Sequence, residues 1–257
     1  MSDDAYAPAR CLNCGHALPP PGAFCPRCGQ PPAHRLSTAH VAHELLHVFT
    51  HADKGILAYL PALLLRPGRL VADYRAGRRK RYFNPFQFLL LSAALATLLV
   101  NQWHLFDDLA TLQNLNPNLT PAELARAHAF YHGLSHYYNL VLLLLIPFNA
   151  LLARLVYRRQ GVNYAEAFFM NVVSSSANTL YSLLLFVGLG LAHRSVAQLN
   201  VVQTAVVVFT YFSAIGHTAL GLRWPAAVGK AALFFFLLLL LNTLLNKAAF
   251  ALYMALG

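Results

Sequence analysis

Four cysteines carry the plainest chemistry in this sequence. Cys11-Leu-Asn-Cys14-Gly15 and Cys25-Pro-Arg-Cys28-Gly29 are two copies of one knuckle. In each, a tight turn aims two thiolates at a common point, and the glycine that follows tolerates a positive φ. These are all the cysteines the chain has, so none is left for a disulfide elsewhere. A redox C-x-x-C normally sits once in a thioredoxin-like βαβ pattern, and no such pattern is present. The expectation is one structural zinc per chain, held by Cys11, Cys14, Cys25 and Cys28, with no open coordination position for catalysis. A head this small cannot bury a core, so the metal's binding energy, about 10 to 16 kcal/mol in comparable peptides, would fold it.

A second metal chemistry is spelled by Val41-Ala-His43-Glu44-Leu-Leu-His47. On a helix, H-E-x-x-H sets two imidazoles on one ion and Glu44 beside its water, as a zinc metalloprotease requires. His40, His43, His47 and His51 recur at helical spacing on one face, behind Ser37 or Thr38 as a cap. Yet no HExxHxxGxxH extension follows and no third ligand is obvious, so a histidine-rich interfacial helix is the plainer reading. His128, His132 and His136 repeat the pattern further on and could hold a metal, or form a solvated face.

Cations and aromatics crowd into Asp73-Tyr74-Arg75-Ala76-Gly77-Arg78-Arg79-Lys80-Arg81-Tyr82-Phe83-Asn84-Pro85. Arg75, Arg78, Arg79, Lys80 and Arg81 can meet an anionic leaflet at about 1 kcal/mol each, with Tyr82 at headgroup level. Anionic membrane lipids are the expected partner, either as a specific site or as a topology anchor. Nucleic acid is not expected, because the adjoining apolar run would pin these side chains to the bilayer surface. Further on, Asn171, Ser174, Ser175, Asn178 and Ser182 share one face of an apolar helix, and His217 lies in the next. Such a stripe either glues helices together or lines a polar path, with Glu166 and His217 the ionisable groups nearest to it.

The elements that must position these groups follow from composition. Hydrophobic residues make up 58% of the 257 and charged residues 11%, against about 25% charged in an ordinary soluble domain. The fold expected is an all-α membrane protein of about five transmembrane helices with a small N-terminal zinc ribbon. The ribbon spans 9–30, a linker 31–37, amphipathic or interfacial helices and the basic motif 38–85, and the bundle 86–257. Pro31 and Pro32 mark the start of the linker. Apolar runs long enough to cross lie near 86–105, 137–157, 165–192, 201–222 and 228–253. From Lys54 to Leu65 the chain is apolar but too short to cross, and suits an interfacial or re-entrant segment. The first long apolar run starts too late for a cleavable signal. With the head in the cytosol, all of the 19 Lys and Arg residues except Arg126, Arg194 and Lys247 fall on the cytosolic side, which favours N-in and C-out.

The two CxxCG knuckles, Pro67-Gly68, and Tyr74-x-x-Gly77-x-Arg79-x-x-Tyr82-x-x-Pro85 followed by several spans resemble an uncharacterised family of bacterial zinc-ribbon membrane proteins, a domain of unknown function. The resemblance runs from Cys11 to about Ser92 and is diffuse beyond. It implies residence in a bacterial inner membrane and no enzymatic activity, and H-E-x-x-H is not part of the family's pattern. Three functions are therefore weighed. A non-enzymatic adaptor or assembly factor, binding an unidentified protein partner through the ribbon, accounts for most features. A small-solute or lipid transporter would use the polar stripe. A membrane protease would use His43, Glu44 and His47.

Overall fold

In a hydrocarbon solvent every backbone N–H and C=O must be satisfied within the chain, so apolar runs of this length form helices. The structure, a computed structural model, describes residues 10–18, 24–31, 37–38, 55–103, 120–190 and 197–256. Its helices are α1 (Ile56–Leu65), α2 (Pro67–Arg75), α3 (Pro85–Trp103), α4 (Pro121–His136), α5 (Tyr138–Tyr157), α6 (Tyr164–Gly190), α7 (Ala197–Thr218) and α8 (Trp224–Leu256). Five of them, α3, α5, α6, α7 and α8, are long and apolar enough to cross a membrane, and the chain is an integral membrane protein of all-α class. No strand is present among the described residues, only an isolated bridge between Arg10 and Ala17.

The helix starts follow local rules. Asn84 caps α3, its Oδ1 accepting from the N–H of Phe86 at 2.9 Å and of Gln87 at 3.3 Å, with Pro85 at the first helical position. Thr120 and Glu123 form the reciprocal capping box that Thr120-Pro121-Ala-Glu123 promises. The Thr120 N–H donates to Glu123 Oε2 at 2.8 Å, and the Glu123 N–H donates back to Thr120 Oγ1 at 3.3 Å. Asn163 and Glu166 repeat the device at α6, at 2.8 and 3.0 Å.

α6 is the central helix. Two thirds of its span is buried (67%), against 11% for α8, and it packs against α3, α5 and α7. α8, at 33 residues, is about 50 Å long, well beyond the roughly 30 Å of hydrocarbon that a span has to cross. The short helices α1 and α2 sit against the bundle rather than apart from it. Tyr59 and Leu63 of α1 are fully buried, and the Tyr211 hydroxyl of α7 donates to the Leu63 carbonyl at 2.8 Å. α2 crosses α7 at Gly68, where a Cβ would stand 2.5 Å from the Ala214 carbonyl oxygen and 2.7 Å from Thr218 Cβ.

Three cations close the C-terminal ends of neighbouring helices, where carbonyls lack partners and the helix dipole is negative. Arg75 donates to the Ala219 carbonyl just past α7 at 2.9 Å, and Lys230 to the Val156 carbonyl of α5 at 2.7 Å. Arg126 donates to the Tyr253 and Met254 carbonyls of α8, each at 2.9 Å. The first two contacts lie at one end of the bundle and the third at the other, the same partition that the basic residues suggest in the sequence.

Candidate metal centre and polar core

The two knuckles fold alike. The Cys11 N–H donates to the His16 carbonyl and the Gly15 N–H to the Cys11 carbonyl, both at 2.8 Å. In the second, Cys25 and Gln30 pair at 2.9 Å, and Gly29 and Cys25 at 2.8 Å. Each turn closes on its glycine, with φ of +72° at Gly15 and +68° at Gly29, the left-handed conformation expected after the knuckle. The four sulfurs lie within 4.8 Å of one another, with Cys11–Cys28 and Cys14–Cys25 at 3.6 Å. Sulfurs about 2.3 Å from one ion at tetrahedral angles stand about 3.8 Å apart, so the cluster fits a single thiolate-bound metal. A disulfide needs about 2.05 Å and is ruled out by these separations.

Burial opposes ionisation of Cys28, but the Gln30 N–H, the Asn13 side chain and the adjoining thiols bring its pKa down to about 7. Cys14 has the His16 N–H in its favour, yet desolvation and its neighbouring sulfurs push it up to about 12. Among the described residues the cysteines are the one cluster of three or more ligating side chains. His128, His132 and His136 lie exposed along α4 and do not converge in this way. His43, Glu44 and His47, with His40 and His51, lie outside the described residues.

Gln30, the last residue of the ribbon, is held by distant partners. Its side chain is buried, 5% exposed, and clamps the second knuckle to the loop after α2. Nε2 donates to the Gly77 carbonyl at 2.8 Å, while Oε1 faces the N–H groups of Arg79 at 3.3 Å and Lys80 at 3.5 Å. The same residue receives the Cys25 N–H on its own carbonyl, so one amino acid joins the metal knuckle to the basic loop. Nothing in the local sequence marks this, because the partners are about fifty positions away.

The basic motif is folded onto itself. Arg78 reaches Asp73 Oδ1 through Nε at 3.0 Å and Nη2 at 2.5 Å, and the Tyr82 hydroxyl donates to Asp73 Oδ2 at 2.6 Å. Burial disfavours the Asp73 carboxylate, but the Tyr82 hydroxyl and the Arg78 guanidinium outweigh it and hold its pKa below the usual carboxylate value. Burial and the adjacent carboxylate push the Tyr82 phenol up to about 12. Arg75 turns the other way, to Glu166 at 3.5 Å and the Ala219 carbonyl, and Arg79 Nε lies 3.4 Å from the Tyr74 carbonyl. Arg81 stacks 5.9 Å over the Tyr82 ring. Asp73, which accepts from both Arg78 and Tyr82, is the hub of the loop.

The polar stripe of α6 lines a partly open cavity of about 90 Å³ that all five spans border. Asn171, Ser174, Ser175 and Asn178 face it, whereas Ser182 lies to one side and accepts from Gln203 Nε2 at 3.1 Å. Gln203 also donates to Asn178 Oδ1 at 3.1 Å, a cross-helix bond of the packing kind. Sequence reasoning did not connect Asn149, Thr204 and Asn242, on α5, α7 and α8, with this cavity, though they line it too. Neither ionisable candidate lies there. Glu166 is engaged with Arg75 and the start of α6, and His217 holds the Leu222 carbonyl at 2.9 Å with its ring stacked on Trp224.

Residues 53–97 match a family described as a protein of unknown function (DUF3667). The match covers α1, α2, the basic loop and most of α3, and leaves out the cysteine knuckles. No curated protein and no solved structure matches the chain.

Proposed function

We propose that this chain is a non-catalytic membrane adaptor whose ribbon holds one structural zinc and presents a protein-binding face at the bilayer surface. The carrying observation is the Gln30 clamp: it ties the metal knuckle to the basic loop, so that the ribbon is a platform fixed to the bundle instead of a tethered domain. Four thiolates saturate a tetrahedral ion, which supports a structural role, and paired knuckles of this spacing support zinc as that ion. With Gln30 turned inward, Leu12 and Phe24 remain 41% and 65% exposed, and Arg10 and Arg27 of the same ribbon are exposed too. Exposed apolar side chains and cations on one small ribbon suit a partner with an apolar patch and acidic surroundings. The cytosol is the side favoured for this platform, with anionic headgroups beneath the basic loop.

Elemental analysis of detergent-purified protein, together with affinity capture from native membranes, tests the reading. The wild type should carry one zinc per chain and Cys25→Ser, Cys28→Ser none, with membrane insertion unchanged. Leu12→Ser, Phe24→Ser should keep the zinc and lose the captured partner. Zinc that survives the cysteine changes, or capture indifferent to both ribbon variants, would overturn the adaptor role.

A further inference from the structure

The bundle core holds polar atoms that packing does not use. Asn149 Oδ1 on α5, Ser174 Oγ on α6, Thr204 Oγ1 on α7 and Asn242 Oδ1 on α8 are buried, without a hydrogen-bond partner, and their residues border the same cavity. Ser174 is 3% exposed. A stripe that only glued helices would have its oxygens spent on neighbouring helices, as Asn178 and Ser182 spend theirs on Gln203. One unspent oxygen from each of four successive spans is instead the pattern of a site waiting for donors.

The lining also selects the ligand class. Among the described residues no Asp, Glu, Lys, Arg or His borders the cavity, and beyond the polar residues it is walled by Leu89, Ile146, Phe212 and Phe234 among others. An ion there would be desolvated with no opposite charge to meet it, which a low-dielectric interior penalises heavily. All four unpartnered atoms are oxygens, two of them amide carbonyls that can only accept. A ligand must therefore be neutral, small enough for a space of about 90 Å³, and rich in N–H or O–H donors.

We propose that this cavity is a binding site for a small uncharged solute bearing several hydrogen-bond donors, of the urea or short-polyol class, gripped by Asn149, Ser174, Thr204 and Asn242. The site is independent of the ribbon and of any protein partner. Hydroxyls of Ser174 and Thr204 rotate to accept or donate, so they serve the ligand's carbonyl or hydroxyl as well as its donors. The apolar walls exclude bulk water and give direction to those contacts.

Saturation-transfer NMR on the full-length protein in deuterated detergent tests it, with methylurea and glycerol as probes and tetramethylurea, which has no donor, as the control. Transfer to methylurea or glycerol, and none to tetramethylurea, is the expected result. Thr204→Val keeps the side chain's shape and removes one oxygen, and should weaken binding by about five- to tenfold, the effect of one lost hydrogen bond. Asn242→Leu should abolish it. Circular dichroism melts identify a variant that fails to fold, in which case Thr204→Val alone decides. Transfer that is equal for tetramethylurea, unchanged in Thr204→Val, or absent for both probes because water alone fills the cavity, would overturn the proposal.

Discussion

Asp73 shows how much one buried carboxylate can organise. It accepts from Arg78 and Tyr82 and so bends the basic loop back onto α2, where Gln30 can reach the Gly77 carbonyl. Because its folded pKa is lowered, the stabilisation is complete above the ordinary carboxylate value of 3.8 and fades as the pH falls through the depressed one. In the Cys25→Ser, Cys28→Ser background, which removes the zinc's own acid sensitivity, pepsin should begin to cut the 76–84 loop only below pH 3.8. The Asp73→Asn protein in the same background should be cut at every pepsin-compatible pH, and should lose trypsin resistance at Arg78 severalfold at pH 7. Equal digestion of both proteins would show that Asp73 does not hold the loop. Of the cations in this run, Arg75 and Arg78 meet carboxylates of the chain itself, Glu166 and Asp73 respectively.

Among the elements, α2 is the piece most sensitive to size. It reaches α7 through Gly68, and the nearest atoms to an added Cβ are the Ala214 backbone oxygen and Thr218 Cβ, neither of which is a flexible side-chain tip. Gly68→Ala should therefore force α2 outward at a cost of about 1 to 3 kcal/mol, the usual range for overpacking. A thermal melt of detergent-solubilised protein should register this as a lower midpoint, and Gly133→Ala, where nothing lies within 4 Å of the new methyl, should not lower it. A Gly68→Ala protein as stable as wild type would mean that α2 and α7 can separate freely. Neighbouring α1 looks in sequence like a re-entrant or surface segment because it is short. Its fully buried Tyr59 and Leu63, and the bond from Tyr211, set it against the spans.

For the molecule as a whole, α5 is one of the five candidate spans among the described residues, so the segments on either side of it are expected on opposite faces of the membrane. Single cysteines at Ala122, in α4, and at Arg159, after α5, should then label from opposite faces of sealed vesicles with an impermeant maleimide, in a chain whose ribbon cysteines are replaced. Labelling of both from one face would refute the five-span arrangement. Much of this architecture is legible in the sequence. Long apolar runs must become spans, because no other backbone conformation satisfies its polar groups in hydrocarbon. Paired C-x-x-C-G knuckles bring their four sulfurs to within metal-binding distance, because local turns aim each pair of thiols the same way. Thr120-Pro121-Ala-Glu123 must start a helix, because its donors and acceptors lie within one turn. Each of these is decided over a few residues or by bulk transfer energy. The tertiary structure alone decided that Gln30 clamps ribbon to loop, that Asp73 gathers Arg78 and Tyr82, and that Asn149, Ser174, Thr204 and Asn242 border one cavity. Such groupings depend on which face each helix turns to its neighbours. That choice is set by side-chain packing between distant segments, and helical periodicity within one segment carries no record of it.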